Sequence, residues 1–260
     1  MYPTILGFID SYTLMLVLGV VACVVFLEIY NHHTSVPKIL TSAYEINGLV
    51  AILIGLVFAC LFQNLYDFIE DPTNYKWTWA ITFYGGLIGG VASFLLGYFL
   101  IIRKKFGPHM KELLVIAPAC ITVAHGFGRI GCFLEGCCYG QQTDAWYGVL
   151  FPGMEHKVIP TNLFEAIFLL LLAVGLFLLA YYKQFKYTFP VYMCSYGIWR
   201  FVIEFFRGDH RGAFIGNLSP SHFWSILLFV GGVVYFLVYF FGIERKKKPQ
   251  NEASNSDSGK

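Results

Sequence analysis

The chain has 260 residues, of which 57% are hydrophobic and only 13% charged, with a formal net charge of +2. A soluble domain carries about 25% charged residues, so this composition, with its positive mean hydropathy, excludes an ordinary soluble enzyme. The small net charge gives no reason to expect a nucleic-acid partner.

Repeated apolar runs near twenty residues predict an all-α, polytopic membrane protein with about seven transmembrane helices. In chain order the segments are expected at residues 11–30, 47–67, 77–102, from 113 into a glycine-rich stretch, 161–182, 187–206 and 222–242. Together they make one membrane domain, residues 1–243, followed by a polar, disordered tail, 244–260. The first run lacks the basic n-region and cleavage site of a secretory signal and is expected to be retained. The fourth segment breaks at Gly126 and Gly128 and is expected to end inside the protein, where buried irregular backbone is tolerated. Residues 141–160 are long enough for a short helix or hairpin.

Lysine and arginine set the orientation. Twelve of them flank one face, from Lys38 through Arg103–Lys105, Lys111, Lys183 and Lys186 to Arg245–Lys248 and Lys260. The other face receives five: Lys76, Arg129, Lys157, Arg207 and Arg211. The N-terminus is therefore expected outside and the C-terminus in the cytoplasm. No internal repeat is visible, which disfavours a transporter built from inverted repeats.

Two clusters interrupt the apolar pattern. Arg200, Glu204 and Arg207, spaced by four and three, share one helical face. A charged side chain inside a membrane must be paired or face a polar cavity. A structural Arg200–Glu204 pair would satisfy that need. An anion site would as well, because arginine is a permanently charged fork suited to phosphate. The second cluster is residues 125–140, where His125 and Arg129 are four apart among glycines that permit close approach. Helix packing through small residues explains the glycines and leaves the arginine unexplained. In the third segment Tyr84 precedes a small-residue face of Gly85, Gly86, Gly89 and Gly90. Tyr12 opens the first segment, where tyrosine is often an interfacial anchor.

Of seven cysteines, Cys23, Cys60, Cys120 and Cys194 are single in apolar runs, while Cys132, Cys137 and Cys138 cluster. The spacing contains no paired zinc knuckle and no regular disulfide framework. Metal, disulfide and packing all stay open for the cluster, with packing the commonest outcome. No metal ligand is assigned.

At these residues the chain resembles the prolipoprotein diacylglyceryl transferase family. The family signature Gly-Arg-x-Gly-Asn-Phe-x-Asn-Gly-Glu aligns with Gly128–Cys137, and Gly140 also fits. Tyr196-Gly-Ile-Trp-Arg200-Phe-Val-Ile-Glu204-Phe-Phe-Arg207 resembles its Tyr-Gly-x-x-Arg-x-x-x-Glu-x-x-Arg. Pro160–Glu165 is similar to its Pro-Ser-Gln-Leu-Tyr-Glu, and Tyr12–Met15 to its Tyr-Gly-Leu-Met. The chain departs from the pattern at Tyr84, where the family has histidine, at Cys132 and Glu135, where it has asparagine, and at Cys137, where it has glutamate.

The resemblance implies a seven-segment enzyme of the bacterial cytoplasmic membrane with its site toward the outer face. It moves a diacylglyceryl group from phosphatidylglycerol to the lipobox cysteine thiol in the signal peptide of a prolipoprotein, and glycerol phosphate leaves. No cofactor is implied. Arg129 and Arg200 are then expected to be catalytic, with His125 or Tyr84 moving the proton. Glu204, Arg207, Tyr12, Glu135 and Gly140 are expected to bind substrate. The alternatives are transfer of a lipid group to another acceptor, and a non-enzymatic lipid-binding or transport protein.

Overall fold

The computed structural model describes residues 4–5, 9–107, 110–208 and 219–244. The expected tail from residue 245 onward lies outside them. After a two-residue antiparallel ladder, Thr4–Ile5 with Ile9–Asp10, the structure is helical. The helices are α1 (Ser11–His33), α2 (Lys38–Glu70), α3 (Phe83–Gly97), α4 (Arg103–Phe106), α5 (Met110–Glu135), α6 (Thr161–Lys183), α7 (Thr188–Glu204) and α8 (Pro220–Leu237). A π-helical turn, Tyr98–Ile102, joins α3 to α4, and another, Val238–Glu244, extends α8.

Among the described residues, six helical stretches are long and apolar enough to cross a membrane: Ser11–His33, Lys38–Glu70, Gly85–Phe106, Met110–Glu135, Thr161–Lys183 and Pro220–Gly242. They correspond to six of the seven expected segments. The remaining one, α7, is 17 residues long and carries Arg200 and Glu204. Large apolar side chains such as Leu53, Val57, Leu65 and Leu171 are left exposed along these helices. Lipid covers such a surface at no cost, where water would penalise it. The chain is an all-α, multi-pass membrane protein.

Two compact units are present. In residues 31–111, α2 and α3 pack through glycines. A Cβ on Gly85 would lie 2.6 Å from Phe62 Cβ and 2.7 Å from the Phe58 carbonyl oxygen. One on Gly86 would meet Ala59 Cβ at an ordinary 3.4 Å. Asn47 Nδ2 donates to the Phe94 carbonyl at 3.0 Å, further along the same seam. Gly85→Ala should therefore destabilise the purified protein by about 1–3 kcal/mol, the usual cost of overpacking, while Gly86→Ala should leave its thermal midpoint in detergent unchanged. Equal midpoints for the two variants would contradict this packing.

The second unit comprises the described residues of 1–30 and 112–244. Here α1 runs along α5, with Gly19 against Ala124 and Phe127, and Gly131 against Tyr12 and Met15. Gly126 lies against Leu170 of α6. Phe168 and Trp199 stack at 4.3 Å between α6 and α7. Gly197 and Gly232 bring α7 against α8. The expected break at Gly126 and Gly128 does not occur, because α5 continues to Glu135 as one helix. Its glycines are points of close contact with α1 and α6, and the neighbours that fill the space hold the helix.

Candidate active site

The charged residues of α5, α6 and α7 converge through one carboxylate, Glu165. It lies at the start of α6 with 1% of its side chain exposed. Its Oε2 is 3.1 Å from Arg129 Nε and 3.6 Å from Arg200 Nη1. Its Oε1 accepts a hydrogen bond from the Tyr196 hydroxyl at 2.9 Å. The Arg129 contact is close in distance but Nε is not aligned as a hydrogen-bond donor, so the attraction there is chiefly that of two charges.

A second carboxylate continues the chain of ion pairs. Glu204 Oε2 lies 2.6 Å from Arg200 Nη2 and 3.9 Å from Arg207 Nε. The order in space is Arg129, Glu165, Arg200, Glu204, Arg207. Among the described residues, three guanidinium groups alternate with two carboxylates along the array. The other four side chains are at most 11% exposed, whereas Arg129 reaches 18%. The most accessible cation thus sits at one end of the array.

The first turn of α8 braces this array. Ser219 Oγ donates to Glu204 Oε1 at 2.8 Å, and Arg200 Nη2 donates to Ser221 Oγ at 3.1 Å. The Ser219 backbone N–H donates to His222 Nδ1 at 3.2 Å, closing the helix N-terminus as a capping box does. A hydrogen bond to a charged group contributes about 1.5–3 kcal/mol. Ser219→Ala should therefore lower activity about tenfold or more with protein still in the membrane; undiminished turnover would show that Glu204 needs no such brace.

His125 shares the α5 face with Arg129. Its ring packs edge-on against Tyr196 at 5.1 Å between centroids, next to the hydroxyl that binds Glu165. Tyr12 is half-buried and its ring fills the space that a side chain at Gly131 would occupy. Glu135, the last residue of α5, is exposed and lines a cavity with Tyr139, Phe151 and Met154. Gly140 forms a backbone bridge with Arg207. A Cβ there would lie 2.5 Å from the Phe206 carbonyl oxygen, so its role is to let the two backbones meet. Tyr84 lies in α3 of the other unit, and its side chain is outside the described residues.

The segment between α5 and α6 folds back as the sequence allows, in hairpin form. Gln142 bridges Val158, as does Val149, and Gln141 N–H donates to the Phe206 carbonyl at 2.9 Å. Cys132, Cys137 and Cys138 meet beneath it. Their sulfurs all lie within 4.8 Å of one another, and all seven cysteines are free thiols. The Cys138 thiol is held well below the usual thiol range by hydrogen bonds from the Cys132 and Cys137 thiols, with Arg207 adding to the effect. Cys137 is pushed up for the converse reason, as a hydrogen-bond donor to its neighbours.

Glu165, Tyr196, Ser219 and Ser221 were not among the expected site residues. For Glu165 the signal was present, since a lone carboxylate five residues into an apolar helix needs cationic partners. The serines gave no such signal.

The family model for prolipoprotein diacylglyceryl transferase matches residues 4–238. Phosphatidylglycerol–prolipoprotein diacylglyceryl transferase of Clostridium tetani is 32% identical over 250 residues, which cover 92% of this chain and 95% of that protein. The second such transferase of Clostridium perfringens is 38% identical over 161 residues, 59% of this chain and 60% of its own length. That of Geobacter sulfurreducens is 32% identical over 197 residues, covering 70% and 71%.

Proposed function

The chain belongs to the prolipoprotein diacylglyceryl transferase family, and we propose that its buried arginine–glutamate array binds the phosphate of phosphatidylglycerol during transfer to the lipobox thiol of a prolipoprotein. The observation that carries this reading is the convergence of Arg129 and Arg200 on the buried Glu165, with Arg129 the most open side chain of the array at 18% exposure. A phosphodiester brings one negative charge, which a partly open guanidinium fork suits. As the bond from the glyceryl carbon to the phosphate oxygen breaks, negative charge grows on the departing glycerol phosphate. Fixed guanidinium groups favour that state without having to reorganise.

Arg129 is the arginine that touches the phosphate, because it is the most open of the three. Arg200, gripped by both carboxylates, holds the array in register and adds charge. Glu204 and Arg207 complete the cradle. Tyr12 and Glu135 flank the lipid and the incoming signal peptide. The thiolate is the competent nucleophile, and His125 or Tyr84 takes its proton. The charge bias of the loops supports an outer-face site in the bacterial cytoplasmic membrane, with the N-terminus outside.

Complementation of a diacylglyceryl-transferase depletion strain tests this reading, with lipoprotein mass as the readout. Wild type should restore growth and add one diacylglyceryl group, and Arg129→Ala and Arg200→Ala should each lose activity by at least about 100-fold. A well-expressed wild type that adds no such group would defeat it and favour a different acceptor. Full activity in both His125→Ala and Tyr84→Phe would remove the proton-transfer assignment.

A further inference from the structure

The cysteine cluster is unused by the array, yet it is built with care. Gly136, at φ +79°, ends α5 in the left-handed conformation. The Cys137 N–H then folds back to the Cys132 carbonyl at 3.0 Å. Cys138 also has a positive φ, +60°, a conformation rare outside glycine, asparagine and aspartate. Adjacent side chains in extended backbone point to opposite faces; this turn breaks that alternation and the two neighbouring sulfurs converge. The first turn of α6 fixes the result. Asn162 Nδ2 donates to the Cys137 carbonyl at 2.8 Å, and Thr161 Oγ1 donates to that of Cys138 at 3.1 Å.

We propose that Cys132, Cys137 and Cys138 bind one zinc ion as a three-thiolate site whose fourth position takes the acceptor thiol. Tetrahedral zinc with Zn–S bonds of about 2.3 Å places its sulfurs about 3.8 Å apart, and the three sulfurs already lie within 4.8 Å of one another. Three protein ligands with one open position is the pattern of catalytic zinc. All three cysteines are only half-buried, which leaves room for a fourth ligand. A zinc tris-thiolate carries one negative charge, and Arg207 faces it beside Cys138. Cys132 lies one turn beyond Arg129 on α5, so metal and phosphate cradle are neighbours.

The acceptor role rests on the transfer reading. On coordination the acceptor S–H loses its proton, which passes to the base or to water. The zinc-bound sulfur then uses a lone pair to form the S–C bond to the glyceryl carbon. The C–O bond to phosphate breaks, and its electron pair leaves with the phosphate oxygen.

The test is metal analysis of the full-length protein purified in detergent under reducing conditions, followed by cobalt(II) replacement. Wild type and Cys194→Ser should carry about one zinc per chain, and the triple Cys132→Ser, Cys137→Ser, Cys138→Ser variant should lose at least about nine-tenths of it. Cobalt-loaded wild type should show a thiolate charge-transfer band. A lipobox peptide should change its ligand-field spectrum, and the same peptide with serine for cysteine should leave it unaltered. Wild type without zinc and without the cobalt band overturns the site, as does zinc retained by the triple-serine variant. Identical spectra with both peptides overturn the acceptor role. None of these readouts needs turnover. Zinc-loaded protein that transfers no lipid would sink the transfer reading and the acceptor role with it but not the zinc site, and active, zinc-free protein would sink the zinc site and not the transfer reading.

Discussion

Glu165→Gln should reduce diacylglyceryl transfer by at least about 100-fold and lower the thermal midpoint of the purified protein. Glutamine keeps the size of the side chain and can still accept the Tyr196 hydrogen bond. What it removes is the charge shared by Arg129 and Arg200. Taking one partner from a buried ion pair costs about 3–5 kcal/mol, because the remaining charge is stranded. Here Arg129 is stranded while Arg200 keeps Glu204 at 2.6 Å, and repulsion between the two guanidinium groups should turn Arg129 away from the phosphate position. The split between KM and kcat separates this from general unfolding: protein that remains folded in the membrane should lose kcat. More than about a tenth of wild-type activity in a stable Glu165→Gln protein would mean that Glu165 is not the hub.

Arg129→Lys should be nearly as damaging as Arg129→Ala, with a loss of about 100-fold. Lysine keeps the charge and loses the planar fork that grips two phosphate oxygens together. Its ammonium is also more strongly hydrated, which raises the cost of placing it 18% exposed beside a buried glutamate. A lysine variant within about threefold of wild type would show that Arg129 acts as a point charge and not as a bidentate ligand. The comparison is cleanest at saturating phosphatidylglycerol and again at low concentration, because a fork that tightens on the leaving phosphate appears in kcat.

The fates of the two clusters differ for a physical reason. Arg200 and Glu204 were legible because helical spacing sets their common face, and membrane burial of charge demands partners. Arg207 departs from that expectation: α7 ends at Glu204, and Arg207 is placed by the turn beyond it and by its backbone bridge with Gly140. The cluster's link to Arg129 was not legible. It runs through Glu165, on a different helix, and depends on α5, α6 and α7 coming together around one carboxylate. Glu135 shows the reverse case. Sequence pattern put it in the signature, while its position at the end of α5 leaves it exposed, lining a separate cavity.

Composition and run length by themselves determined an all-α membrane protein, since apolar stretches of this length have no other stable solution in lipid. They also set the positions of the six spanning helices to within several residues, apart from the early start of α2 at Lys38. Two things were decided only by tertiary structure. The helix does not break at Gly126 or Gly128, and Gly126 and Gly131 are contact points, because Leu170 and Tyr12 fill the space their missing side chains leave. The three cysteines, at positions 132, 137 and 138, match no metal motif in sequence. They meet because Gly136 and Cys138 take the left-handed conformation and α6 pins the carbonyls of Cys137 and Cys138. Local spacing carries the first kind of information, and the second exists only once distant segments are held against one another.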